Sequence, residues 1–182
     1  ARLYNHLLSQ SELNRESVLN EALRPAEDER SSVLSLAQCL EQPSLLLDQV
    51  GTDYPDNTGT RAVRVLVSVL QQDLALSVIA PLTLRLFRDG EAPLPDANRI
   101  FLAPMDQQSQ TTSRWYQMPG GEAVGERTFV QSVGEITAQW YPVFRRQLGV
   151  SPGAYWSSIG LGLGAPFSAV WNLAEPHALC QL

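Results

Sequence analysis

Gly149-Val150-Ser151-Pro152-Gly153 matches the Gly-x-Ser-x-Gly pattern that presents a nucleophilic serine in many hydrolases. That chemistry needs the backbone N–H after the serine to help bind an oxyanion. Here the next residue is Pro152, which has no N–H. The pattern therefore reads better as Ser151 capping a helix that begins with Pro152. Gly160-x-Gly162-x-x-Ala165 fits a loose dinucleotide fingerprint, but no strand precedes it and too little chain follows for the βαβ unit. Small residues on a tightly packed helix are the better expectation. His177 and Cys180 are three residues apart, a spacing that one helical turn could offer a metal. Two ligands do not complete a site, and His6 and Cys39 are distant in sequence. Cys180 is the metal-ligand candidate on this pattern. Asp53 and Asp56 lie in turn-rich sequence without the order of a calcium loop, so a solvated turn is expected.

The aromatic residues are more suggestive. Trp115, Trp140, Trp156 and Trp171 all fall in the C-terminal half, beside Tyr116, Tyr141 and Tyr155, with Arg114, Arg145 and Arg146 adjoining. Core filling is one reading. The other is a pocket of aromatic faces and guanidinium groups for a flat, anionic ligand. On side-chain chemistry the candidate ligand-binding residues are Arg114, Tyr116, Arg145, Arg146 and Trp156.

Composition limits the remaining chemistry. The chain has 182 residues, 13 basic against 19 acidic, and a net charge of -6. All the basic residues are arginine. Without lysine there is no Schiff-base chemistry and no phosphate-binding loop of the Walker type. An acidic balance without basic runs argues against nucleic-acid binding. Cys39 and Cys180 allow one bridge at most, which excludes a disulfide scaffold and suits a reduced, cytoplasmic chain. The first residues, with Asn5, His6 and Ser9, do not resemble a secretory leader. The stretch Gln147 to Ala174 carries no charge, long enough to span a bilayer. Its serines, prolines, Asn172 and glycines favour a buried helix pair, with peripheral contact at an inner membrane as the alternative.

These residues must be positioned by helices. Ser9-x-x-Glu12 opens a helix expected to end near Arg24-Pro25, and a second is expected over Asp28 to Leu40. A short third helix is expected from Ser44 to Val50, closed by Gly51. Leu66, Leu70, Leu74, Val78 and Leu82 recur at i+4 and predict one long helix over Arg61 to Asp89, kinked at Pro81 and closed by Gly90. The alternation of Val63, Val65, Val67 and Val69 offers a strand start as the alternative. Ile100 to Ala103 and Arg114 to Met118 read as paired strands joined by a polar loop longer than a tight turn. Phe129, Val133, Ile136, Trp140, Val143, Phe144 and Leu148 have helical spacing, with Pro142 as a bend, Arg145 and Arg146 in the last turn and Gly149 as the stop. The predicted fold is mainly α: a single domain, 1–182, of about six helices with a small inserted β-hairpin. Its parts are 1–59 (N-terminal helices and loop), 60–127 (long kinked helix and hairpin) and 128–182 (C-terminal helix pair).

The segment Trp140-Tyr-Pro-Val-Phe-Arg-Arg-Gln-Leu-Gly-Val-Ser-Pro-Gly-Ala-Tyr-Trp156-Ser-Ser-Ile resembles the ferric-siderophore reductase (FhuF-like) family. There a helix ends in glycine, a Ser-Pro-type start follows, and a tryptophan with small or polar neighbours lies on the next helix. Leu76-Ser-Val-Ile-Ala-Pro-Leu-Thr-Leu-Arg85 and the hairpin after it are compatible with the family's central region. The resemblance covers half to two thirds of the chain. It implies a cytoplasmic, siderophore-iron reductase-like protein of bacterial iron uptake that binds a ferric siderophore. One-electron reduction would then release the iron, with an electron-donor protein as a further partner. It also implies a [2Fe-2S] cluster on four C-terminal cysteines, a pattern this sequence lacks. Cys180 and His177 supply two ligands where about four are needed. Either the cluster is completed by ligands outside this sequence, or the chain is a clusterless relative, and the alternative function is then a non-enzymatic helical module for ligand binding or protein interaction. Trp156 is the one motif position carried over, as a pocket or packing residue.

Overall fold

A reciprocal capping box sets where the first helix of the described residues begins. Ser35 Oγ accepts from the Gln38 backbone N–H at 3.1 Å, and Gln38 Oε1 accepts from the Ser35 N–H at 2.9 Å. The computed structural model describes residues 33–56, 59–107 and 110–173, with the side chains of 104–107, 110–112 and 168–173 left aside. Helix α1 covers Leu36–Glu41, and the residues before its cap form strand β1, Leu34–Ser35. Of the helix expected over Asp28 to Leu40, residues 28–32 lie outside the described residues, and the described part is helical only from Leu36, because Ser35 is extended and capped. The expected helix from Ser9 lies outside the described residues. Helix α2 covers Ser44–Asp53 and runs through Gly51, so the glycine does not end it. Tyr54 N–H still donates to the Val50 carbonyl at 3.0 Å.

Helix α3, Thr60–Asp89, is the spine of the molecule. Leu70, Leu74, Val78 and Leu82 are buried along it, as the i+4 stripe predicts, and Leu66 is half-buried. The strand alternative at Val63 to Val69 is not realised. Ala75–Ile79 forms a π-turn, in which the Ala80 N–H donates to the Ala75 carbonyl. Pro81 follows directly. A proline ring crowds the carbonyl four residues earlier, and a wider turn placed there relieves that crowding. Gly90, at φ 83, ends the helix. The helix is long and apolar enough to cross a membrane by length and composition, yet 56 % of that window is buried inside the protein.

The hairpin pairs β3, Ile100–Gln107, with β4, Gln110–Gln117, and β1 adds to the other edge of β3 in the order β1-β3-β4. The expected partners meet: Ile100 faces Gln117 and Ala103 faces Arg114. The ladder continues to Gln107 opposite Gln110, so the connection is short rather than the longer loop expected. Pro104, facing Ser113, fits within β3 for a geometric reason. Ser113 N–H points away from β3, towards Asp53, so this is a pair that exchanges no ladder bonds. The missing proline N–H thus falls on the outer side of β3, where β1 has already ended. A second, two-stranded sheet joins β2, Glu91–Pro93, to β5, Ala123–Gly125.

Strand β4 would be an open edge, and carboxylates from two helices close it. Asp53 Oδ2 accepts the Ser113 N–H at 3.1 Å, and Asp73 Oδ2 accepts the Trp115 N–H at 2.9 Å. Asp53 is thus a structural acceptor at the end of α2, not a solvated turn residue.

Helix α4, Glu126–Arg146, buries Phe129, Val133, Trp140 and Phe144. Gly149, at φ 74, makes the turn after it. Helix α5, Pro152–Leu173, starts where Ser151 Oγ accepts the Ala154 N–H at 3.1 Å. It lies along α3 and packs tightly against it at Gly162. A Cβ there would sit 2.8 Å from the Ala75 carbonyl oxygen and 3.2 Å from Ile79. The described residues thus form a mainly α fold of five helices with a small β component.

Gly162→Ala should destabilise the protein by about 1–3 kcal/mol, because backbone cannot give way as a side-chain end can. Gly160→Ala, where a Cβ meets nothing within 4 Å, should be neutral or slightly stabilising. Urea midpoints read the contrast; equal midpoints for the two variants would mean that the crossing is loose. Asp73 accepts from Ser77 Oγ, Arg114 Nε and the Trp115 N–H. Asp73→Asn leaves one accepting oxygen for these donors and should cost about 1–3 kcal/mol. Thermal unfolding measures it, and an unchanged midpoint would remove Asp73 as the closure of the sheet edge.

Candidate ligand-binding groove

A concave surface lies where α3 and α5 run side by side, on the N-terminal side of their contact at Gly162. It is an open groove of about 490 Å³. Arg61, Arg64, Val65 and Val69 line it from α3; Ser157 and Leu161 line it from α5. Gly149 and Ser151, in the turn before α5, complete the wall. Val65, Val69 and Leu161 are 57 %, 51 % and 46 % exposed, an apolar surface left open to solvent. No carboxylate lines the groove, and neither arginine is ion-paired among the described residues.

Arg64 is positioned by packing. A Cβ on Gly149 would lie 3.1 Å from Arg64 Nε and 3.2 Å from its Cγ and Cδ, so the arm runs against bare backbone at that turn. Gly149 is required twice over, for its left-handed φ and for this approach. The serines are partly committed to local bonds. Ser68 Oγ donates to the Arg64 carbonyl at 2.9 Å, and Ser158 Oγ to the Ala154 carbonyl at 2.8 Å. The guanidinium groups are therefore the strong donors that the groove offers.

The five residues nominated from sequence are not gathered in one place, and none of them lines this groove. Arg114 lies against Asp73, Nε to Oδ1 3.1 Å, with Nη2 3.4 Å from Ser77 Oγ. Tyr116 packs on Phe101, ring centroids 5.8 Å apart, and borders a cavity of about 60 Å³, room for one or two waters. Burial pushes the Tyr116 phenol above its usual range. Arg145 and Arg146 are exposed in the last turn of α4. Trp156 is 42 % exposed and belongs to an aromatic cluster that ties α4 to α5. Its ring centroid lies 5.3 Å from Tyr141 and 5.1 Å, edge-on, from Tyr155. Tyr155 is fully buried and donates its hydroxyl to the Thr137 carbonyl at 2.6 Å, and burial holds its phenol protonated to unusually high pH.

Arg61 and Arg64 do not stand out in the sequence, because the leucine stripe dominates their segment. A signal was present. Val65 and Val69 stand off that stripe, one turn apart, next to an arginine pair at i, i+3. That combination marks a second apolar strip with a cationic end, but nothing in it says which helix lies alongside.

Cys39 was the other possible metal ligand. It is buried in the core at 2 % exposure, and burial pushes its thiol up to about 11. A thiol that resists ionisation is a poor metal ligand. Cys180, His177 and His6 lie outside the described residues. Among the described residues no three His, Cys, Asp or Glu side chains come together as a metal-holding group. The sequence holds two cysteines, where an iron–sulfur cluster takes about four ligands.

At pH 8 only on the order of a thousandth of Cys39 would be thiolate, so alkylation of the folded protein should leave it unmodified. Peptide mapping after iodoacetamide treatment, with and without urea, checks this; rapid labelling of Cys39 in the folded state would contradict the burial. Comparisons with protein-family models, with curated proteins and with solved structures find no match to this chain.

Proposed function

We propose that this protein is siderophore-iron reductase-like: it binds a ferric siderophore in the cytoplasm, at the groove between α3 and α5, and takes part in its one-electron reduction. The observation that carries this reading is a coincidence of two features. The segment that resembles the ferric-siderophore reductase family, Trp140 to Ile159, includes one wall of the groove, at Gly149, Ser151 and Ser157. The opposite wall offers two guanidinium groups to an oxygen-rich ligand. Siderophore oxygens hold Fe(III) much more tightly than Fe(II), so one electron delivered to the bound complex lowers its affinity for iron. The given sequence holds two cysteines where such a cluster takes about four ligands; the electron comes from a donor protein, which is oxidised as the iron is reduced. The same cysteine count favours the alternative reading, a helical binding module without its own redox step.

Tryptophan fluorescence tests the binding step. Trp156 is partly exposed and next to Ser157 in the groove wall, so a bound ferric centre should quench it. A panel of hydroxamate, catecholate and carboxylate ferric siderophores should include at least one that quenches saturably. No quenching by any member would sink the reading. If a ligand binds, ferrous-iron release with an added one-electron donor, accelerated by the protein over the free complex, separates the reductase version from the binding module.

A further inference from the structure

We propose that the α3–α5 groove selects by charge: it takes an anionic, oxygen-rich ferric chelate, of which a ferric tris-catecholate is the type, in preference to an uncharged ferric trihydroxamate. The proposal rests on the siderophore reading and adds the ligand class to it.

Charge balance carries the argument. The protein is acidic overall, with a net charge of -6. Its groove nevertheless presents Arg61 and Arg64 and no carboxylate. Three arginines elsewhere are matched locally, Arg85 and Arg88 by Asp89 and Arg114 by Asp73; Arg61 and Arg64 differ from these in facing an apolar groove. Arg61 and Arg64 lie one turn apart on a single helix, where two like charges weaken the helix slightly. That cost is removed when an anion bridges them. The Arg64 arm already lies against the Gly149 backbone, at the edge of the groove. An uncharged complex would draw nothing from this pair that water does not already give. A catecholate complex is trianionic, spreads that charge over oxygens that accept guanidinium N–H bonds, and exposes flat aromatic edges. Val65, Val69 and Leu161 provide an apolar surface for such edges. The donor set and the apolar wall thus match one kind of complex in both respects.

The test is equilibrium binding to the full chain of two probes, a ferric tris-catecholate and a linear ferric trihydroxamate, followed by tryptophan quenching. Arg61→Gln and Arg64→Gln are exposed-site variants, with circular dichroism and thermal midpoint as the check on folding. The expected result is that the tris-catecholate binds and that each variant weakens it ~10-fold or more. Its affinity should also fall with added salt. The trihydroxamate should bind at least ~10-fold more weakly and be insensitive to both variants. Tight trihydroxamate binding that ignores both variants would overturn charge selection and leave the siderophore reading standing. Tris-catecholate binding unaffected by the variants would also overturn it, by moving the site away from Arg61 and Arg64. No binding of either probe overturns the charge proposal. If the wider siderophore panel is silent too, the siderophore reading falls with it.

Discussion

The close approach of α5 to α3 at Gly162 is the constraint on which the rest of the molecule depends. A helix carrying ordinary side chains at that position could not bring its axis so near the Ala75 carbonyl. The π-turn at Ala75–Ile79 lies on the other side of the same contact. Widening one turn of α3 makes room for Pro81 and reshapes the surface on which α5 rests. Once the two helices are locked there, their N-terminal portions lie alongside one another, and Arg61 to Val69 must face Ser151 to Leu161. The groove is thus a consequence of the packing contact at whose N-terminal side it opens. The aromatic cluster of Tyr141, Phe144, Tyr155 and Trp156 holds α4 to the same end of α5. It fixes the direction in which the Gly149 turn delivers the chain.

The hairpin is attached by a different kind of force. A free strand edge presents unpaired N–H groups and invites association with other chains. Here Asp53 and Asp73 each supply an acceptor to an outward N–H of β4, so α2 and α3 cover the edge without contributing a strand. Gln49 extends the pattern: its Nε2 donates both to Asp53 Oδ1 and to Ser113 Oγ. Charge-assisted bonds to backbone are stronger than neutral ones. This explains how so short a sheet keeps its place beside long helices. It also determines the role of Arg114. Its guanidinium lies on Asp73, so the residue that looked like a ligand donor takes part in fastening the strand.

What could be read from the sequence was what is decided locally. The leucine stripe of α3, the aromatic spacing of α4, the Ser151 cap and the glycine stops at Gly90 and Gly149 each depend on residues within a turn or two. Each has its physical cause written in adjacent positions. Boundaries decided by tertiary partners were misread. Ser35 is drawn into a strand by Leu102 and Phe101, which delays α1. The hairpin ladder runs beyond the apolar residues that suggested it, because pairing continues through polar positions once the register is set. Strands β2 and β5 are three residues each and find each other across the hairpin, so neither carries a pattern of its own. The groove was illegible for the same reason. Arg61 and Gly149 are far apart in the chain, and only the packing of α3 on α5 makes them neighbours.

The absence of lysine takes on a more definite meaning in this light. A guanidinium can be held by its planar fork against carboxylates or carbonyls, and the structure uses it that way at several sites. Arg99 donates to the carbonyls of Met118 and Pro119 and pins the turn that follows β4. Arg88 holds Asp89 with two N–H bonds, the chief cause of a carboxyl kept below the usual range. In these places arginine is a structural clamp whose acceptors come from the protein. At the groove the same side chain meets no acceptor among the described residues, although the Arg64 arm packs against the Gly149 backbone. A clamp without its acceptor, beside an apolar wall, is what a binding site for an external anion requires. The distinction between the two uses lies in what faces the guanidinium, not in the residue type, and that is why arginine content alone could exclude lysine chemistry but could not locate a site.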